Sequence, residues 1–143
     1  MSLTIRDGQG ARRAGATAIL HVPFPSMSGL VAAAAELESR GPRRFPIDVA
    51  AVVGPLTSTK ELRLTLPAGW QAQLPEDVTV NGAYGRYTAT FRQQGRELRI
   101  VRRIEGRTGI EPPERIGGLV AWLREAARDD ADYVVLEQPR QSP

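Results

Sequence analysis

The sequence predicts a mainly β fold, in which β-sandwich-like antiparallel sheets carry a C-terminal amphipathic α-helix. Three runs of alternating apolar and polar residues occur at positions 61–66, 86–92 and 98–105, and proline or glycine residues separate them. Alternation with a period of two is typical of antiparallel strands that bury one face. After Pro112 and Pro113, apolar residues recur at helical spacing to about position 128, which predicts a helix that packs one face on the sheet.

The first third of the chain predicts short elements. Residues 16–22 are rich in small and β-branched side chains and predict a strand. A possible short helix near residues 29–40 follows, because Ser26 or Ser28 can cap it and the Gly41-Pro42 pair ends it. The alternative for this segment is an irregular connector, since few large apolar residues would anchor the helix. Residues 47–53 predict another strand.

The alternating runs also indicate which side chains face the core. The first run places three leucines on one side, namely Leu62, Leu64 and Leu66. In the third run Arg102 shares a face with apolar residues, so we expect it at the edge of the core or in an ion pair. The Asn81-Gly82 dipeptide is a strong signal for a tight turn before the second run.

Length and composition exclude several classes of protein. A chain of 143 residues is long enough to bury one core without disulfides or metals. The absence of cysteine excludes a thiolate metal site and a cysteine nucleophile, and His21, the single histidine, excludes any site that needs two imidazoles. No run approaches the roughly 20 apolar residues of a membrane helix, so direct membrane insertion is not expected.

The charge balance gives no reason to expect a nucleic-acid partner. The formal net charge is +3, and eighteen of the nineteen basic residues are arginines, with Lys60 the single lysine. A basic excess of this size is a weak electrostatic footprint. No cofactor and no metal are expected, and nothing in the pattern indicates an oligomeric state.

Three groupings of residues suggest a binding or catalytic site, but each has a simpler structural explanation. Asp129, Asp130 and Asp132 follow Glu125 by about one turn, but the spacing lacks the glycine and distal glutamate of a calcium loop, so we expect a solvated helix end. Gly82 and Gly85 have no helix after them and predict a hairpin turn rather than a phosphate site. A Ser26–His21 dyad has no third group to orient it, so no catalytic residue is assigned.

The residues most capable of recognition are aromatic or basic and lie near the second alternating run: Trp70, Tyr84, Arg86, Tyr87 and Arg92. Aromatic rings beside arginines can stack on a sugar, a peptide or a base. The simpler interpretation is that Trp70 and Trp122 cover the seam between sheet and helix. Likewise, the arginines at positions 96–107 are expected on a solvated face, paired with Glu97 and Glu105.

A series of landmarks in residues 43–137 resembles a known family. In order they are Arg44-Phe45-Pro46-Ile47, Leu66-Pro67-Ala68-Gly69-Trp70, Leu74-Pro75, Gly85-Arg86-Tyr87, Leu98 through Arg103, Pro113-Glu114 and Val134-Val135-Leu136. Their order and spacing resemble those of the C-terminal domain of bacterial transglutaminase-like (papain-type cysteine protease-like) proteins. The resemblance implies a connecting segment at 1–42, a β-sandwich-like accessory domain at 43–137 with a terminal helix, and a tail at 138–143.

The resemblance also carries expectations about function. In that family a Cys-His-Asp set performs catalysis, and no residue of this chain can be assigned to it. We therefore expect a non-catalytic accessory domain that packs on or orients a transglutaminase-like core in the same chain or complex. The family's usual setting suggests the cell envelope or periplasm. The alternatives are an independent peptide- or glycan-binding β module and, disfavoured by the residue inventory, an enzyme in its own right.

Overall fold

Two four-stranded antiparallel sheets provide most of the fold in the computed structural model, which describes residues 11–22, 28–53, 57–107, 109–129 and 131–139. In chain order the elements are β1 (Ala11–Ala14), β2 (Thr17–His21), α1 (Ser28–Ser39), β3 (Ile47–Asp48), α2 (Val49–Val53), β4 (Thr57–Thr65), β5 (Gln71–Gln73), β6 (Val78–Gly82), β7 (Gly85–Gln94), β8 (Glu97–Gly106), β9 (Ile110–Glu111), a 3-10 turn (Pro113–Arg115), α3 (Ile116–Ala126) and β10 (Tyr133–Glu137). The prediction of a mainly β fold is confirmed.

The first sheet has the strand order β1-β2-β10-β5, and the second has the order β4-β8-β7-β6. Every pairing within them is antiparallel. The first sheet joins distant parts of the chain, because Leu20 of β2 lies opposite Val134 of β10. Strands β3 and β9 form a separate two-stranded ladder.

One hydrophobic core lies between the inner faces of the two sheets and the helices. The largest fully buried side chains come from both sheets and from α3, and include Leu20, Leu62, Tyr87, Phe91, Leu98, Ile100, Leu119 and Leu123. Alternate residues of a strand point to opposite faces, so each of the two sheets keeps one face outside this core.

The predicted helices are both present. In α3, the side chains of Leu119 and Leu123 are fully buried, as the apolar spacing predicts. Helix α1 spans Ser28–Ser39 and packs against α3. It buries Ala33, Ala34 and Leu37.

The strand predicted for residues 47–53 is wrong beyond its second residue. Only Ile47 and Asp48 pair with β9, and the chain then turns into α2. The Asp48 carboxylate Oδ1 accepts a hydrogen bond from the Ala50 backbone N–H at 3.0 Å. A side-chain oxygen in this position satisfies a donor that a helix leaves free at its first turn, so the aspartate favours a helix where the apolar run alone indicated a strand.

The β6–β7 hairpin turns at residues 83–84, two residues later than the Asn81-Gly82 signal predicts. Asn81 and Gly82 belong to β6, and Gly82 lies opposite Gly85 across a two-residue turn. Gly85 has φ 140°, and a Cβ atom there would lie 2.2 Å from the Glu105 carbonyl oxygen. Only glycine fits this close approach between β7 and β8.

The side chain of Gln93 connects the two sheets. Its Oε1 accepts a hydrogen bond from the Ala72 backbone N–H at 2.7 Å, and its Nε2 donates to the carbonyl oxygens of Trp70 at 3.3 Å and Gly95 at 2.8 Å. The amide thus acts at the edge of β5 as a neighbouring strand would. It ties the end of the first sheet to the β7–β8 hairpin of the second.

Candidate interaction face

The five residues proposed as a recognition face do not lie on one surface. Tyr87 is fully buried in the core and Trp70 is 9% exposed. Arg86 and Arg92 point to the outer face of the second sheet, since they alternate with Tyr87 along β7. Tyr84 is half-buried, and its hydroxyl donates a hydrogen bond to the Arg115 carbonyl oxygen at 2.8 Å. Tyr87 and Trp70 therefore belong to the core rather than to an exposed surface.

The exposed members of that set are also tied to their surroundings. Arg92 donates hydrogen bonds to both carboxylate oxygens of Asp77. These hydrogen bonds lower the pKa of Asp77 below its ordinary value. Trp70 is covered by the guanidinium of Arg13, whose carbon lies 5.3 Å from the ring centroid. The simpler interpretation of Trp70 and Trp122 as core side chains is confirmed, since Trp122 is 5% exposed.

A buried polar cluster of Tyr87, Arg102 and Asp129 lies where sequence reasoning expected a solvated helix end. Asp129 is 2% exposed, so the expectation is wrong for this residue, while Asp130 lies outside the described residues. Its Oδ2 accepts hydrogen bonds from the Tyr87 hydroxyl and from Arg102 Nε at 2.8 Å. Arg102 Nη2 donates to Asp129 Oδ1 at 3.3 Å and to the Ala131 carbonyl oxygen at 2.6 Å. The predicted pairing of Arg102 is confirmed.

The electrostatics of this cluster favour a structural role. Burial and the hydrogen bond to the Asp129 carboxylate raise the pKa of Tyr87 well above its ordinary value. Arg102 and Asp129 expose at most 3% of their side chains, so no substrate reaches them. The alternation of β8 indicated an unusual arginine, but no local pattern pointed to Asp129, whose partners are 27 and 42 residues away.

The outer face of the second sheet is polar, and several of its charges are paired with one another. Glu61 accepts hydrogen bonds from Arg63 Nε at 2.6 Å and from Arg99 Nε at 2.7 Å. These two hydrogen bonds lower the pKa of Glu61. Arg103 pairs with Glu105. The expected solvated face is present, although Arg99 pairs with Glu61 rather than with Glu97.

The outer face of the first sheet carries an apolar patch among polar residues, with Arg12 opposite Ile19 and Gln73 opposite Val135. We call this patch the apolar face and define it by Ile19 and His21 of β2 and Tyr133 and Val135 of β10. Ile19 lies opposite Val135, and His21 lies opposite Tyr133. Ile19 is 47% exposed and Tyr133 is 59% exposed, while Val135 is half-buried. The rings of His21 and Tyr133 meet edge to face, with centroids 5.1 Å apart.

A polar groove borders the apolar face at one end of the same sheet. It has a volume of about 480 Å³ and is lined by the β1–β2 turn, β5 and the end of β10. Thr17, Gln71, Gln73 and Glu137 contribute hydrogen-bonding side chains to it. Because Glu137 lies opposite both Thr17 and Gln71, the groove continues the surface of the apolar face. An apolar centre with a polar rim is the usual anatomy of a protein interface.

The model of the DUF3858 family, described as a domain of unknown function with solved-structure structure, matches residues 30–136. The chain belongs to this family. The DUF3858 fold also occurs within longer proteins: a crystal structure from Parabacteroides distasonis ATCC 8503, described as a "putative protease", shares it with a TM-score of 0.56 and 17% identity. The match covers 85% of this chain and 23% of that chain. No protein of curated function is significantly similar to this sequence.

The described part of this DUF3858 domain contains the chain's single histidine, His21. Within those residues, no cluster of three or more His, Asp or Glu side chains is arranged to hold a metal ion. His21 contacts Tyr133 on the exposed sheet face, and Ser26, its candidate dyad partner, lies outside the described residues. Among the helices described, none is both long and apolar enough to cross a membrane.

Proposed function

We propose that this DUF3858 domain is a non-catalytic accessory domain that packs on, or orients, a transglutaminase-like catalytic core in the same chain or complex. The observation that carries the proposal is the contrast between the two outer sheet faces. One face pairs several of its charges internally, whereas the other exposes Ile19 and Tyr133 around Val135. Contiguous exposed apolar surface on a soluble domain is typical of a site that another protein covers.

Two further observations support a catalytic core as the partner. The ordered landmarks of residues 43–137 resemble the module that follows the core in transglutaminase-like, papain-type proteins. The Parabacteroides structure, described as a protease, carries the same fold in about a quarter of its length. A chain of that size has room for a separate catalytic domain beside this fold.

The second candidate function is an independent peptide- or glycan-binding module. The polar groove favours it, because Gln71, Gln73 and Glu137 offer both hydrogen-bond donors and acceptors in an open concave site. Sugar-binding sites usually add an exposed aromatic ring. The neighbouring Trp70 is buried and covered by Arg13, so the accessory role is the better supported of the two.

The non-catalytic part of the proposal is tested by turnover. The purified domain is incubated with a casein substrate for peptide hydrolysis and with a glutamine peptide plus an amine for acyl transfer. We expect no rate above the uncatalysed background, and His21→Ala should behave as the unaltered domain does. Turnover that is lost in His21→Ala would show an enzyme and contradict the proposal.

A further inference from the structure

A second concave site lies on another part of the molecule, between α1 and the beginning of α3. It has a volume of about 290 Å³. Its apolar lining includes Leu37 of α1 and Ile116 and Val120 of α3, each of them buried. Pro42 and Pro113 also line it. We call this site the helix groove; it is separate from the apolar face and from the polar groove.

One cation of the helix groove is unpaired. Arg43 lines the groove, and its Nε is buried without a hydrogen-bond partner among the described residues. A buried donor without an acceptor costs about 1–3 kcal/mol, so native structures retain few of them. The described residues therefore do not use all the hydrogen-bonding capacity of the Arg43 guanidinium, which lines the groove.

The other charged side chain that lines the helix groove is already paired. Glu38, which also lines it, accepts a hydrogen bond from Arg124 of α3. Arg40, near the same end of α1, pairs with Glu36. The Arg43 guanidinium therefore leaves the groove with one positive charge beside an apolar floor.

We propose that the helix groove binds a peptide group in which an aliphatic side chain lies next to a free carboxylate. The aliphatic part would contact Leu37, Ile116 and Val120. The carboxylate would accept hydrogen bonds from the Arg43 guanidinium, whose planar fork suits a carboxylate better than the ammonium of lysine does. This binding does not depend on the apolar face, so it goes beyond the accessory role proposed above.

The test uses N-acetyl-leucine, with N-acetyl-leucine amide as a ligand of nearly the same shape that lacks the carboxylate. Both are titrated into the isotope-labelled domain while backbone amide shifts are recorded. We expect N-acetyl-leucine to shift amides of Leu37, Gly117 and Val120 in a saturable manner. The amide should bind about tenfold more weakly or worse, because a hydrogen bond to a charged group is worth about 1.5–3 kcal/mol.

The variant Arg43→Gln should weaken binding of N-acetyl-leucine by a similar factor, and Arg43→Lys should weaken it less. The matched control is Arg86→Gln, which removes the same charge from an exposed position on the second sheet and should leave binding unchanged. Equal binding of the two ligands, or equal affinity of Arg43→Gln and Arg86→Gln, would overturn the proposal. So would a concentration-dependent dimer that Arg43→Gln abolishes, because a second copy would then occupy the groove.

Discussion

At the scale of single residues, the buried cluster of Tyr87, Arg102 and Asp129 distinguishes this core from a purely apolar one. Sequence reasoning identified Arg102 as exceptional because the period-two alternation of β8 placed a charge among apolar side chains. It missed Asp129, since three aspartates at a helix end usually indicate solvation. Burial of Asp129 depends on where the chain after α3 meets β7 and β8, and local spacing carries no information about that meeting.

Asp129→Ala should destabilise the domain strongly. The substitution leaves Arg102 buried without its carboxylate partner, and breaking a buried ion pair in this way costs about 3–5 kcal/mol. Glu36→Ala is the control, because it removes a carboxylate from an exposed pair with Arg40. That change should cost no more than about 1 kcal/mol. Urea unfolding measures the free energy of unfolding of both variants. Equal losses would show that the buried cluster stabilises the domain no more than an exposed ion pair does.

At the scale of elements, the strongly periodic segments were predictable and the short ones were not. The alternation in β7 and β8 and the helical spacing in α3 each extend over ten or more residues, so the pattern outweighs local exceptions. Residues 47–53 predict one strand because six of the seven are apolar, and such a run suits a strand or a buried helix. The Asp48 side chain decides between them by capping α2.

The burial of one face of α3 in the core leads to a prediction at this scale. Leu123→Ala should cost about 2–5 kcal/mol, because Leu123 is fully buried and its truncation leaves a cavity. Leu64→Ala should cost less, since Leu64 is only half-buried on the edge strand β4. Val31→Ala is the control on α1, where Val31 is 51% exposed. Thermal or urea unfolding should rank the three losses in that order; a Leu123→Ala midpoint equal to that of Val31→Ala would contradict the packing of α3.

At the scale of the whole molecule, two sheets with unlike outer faces share one core. The sequence predicted the sheets and the helix, and the charged outer face of β8 followed from its alternation. The apolar face was not predictable, because it forms only when β2 pairs with β10, more than a hundred residues later in the chain. Reading each strand alone placed Ile19 and Tyr133 in separate elements. Their proximity is a consequence of topology.

We propose that the apolar face, and not the charged face, docks a catalytic core. Val135 and Val101 provide a matched pair, because both are half-buried valines on inner strands, one on the outer face of each sheet. Calorimetric titration of the domain with a transglutaminase-like catalytic domain from the same genome measures the affinity directly. We expect Val135→Ser to weaken binding about tenfold, which corresponds to about 1.4 kcal/mol. We expect Val101→Ser to leave the affinity unchanged. No binding by the unaltered domain, or equal affinity of the two variants, would contradict the claim.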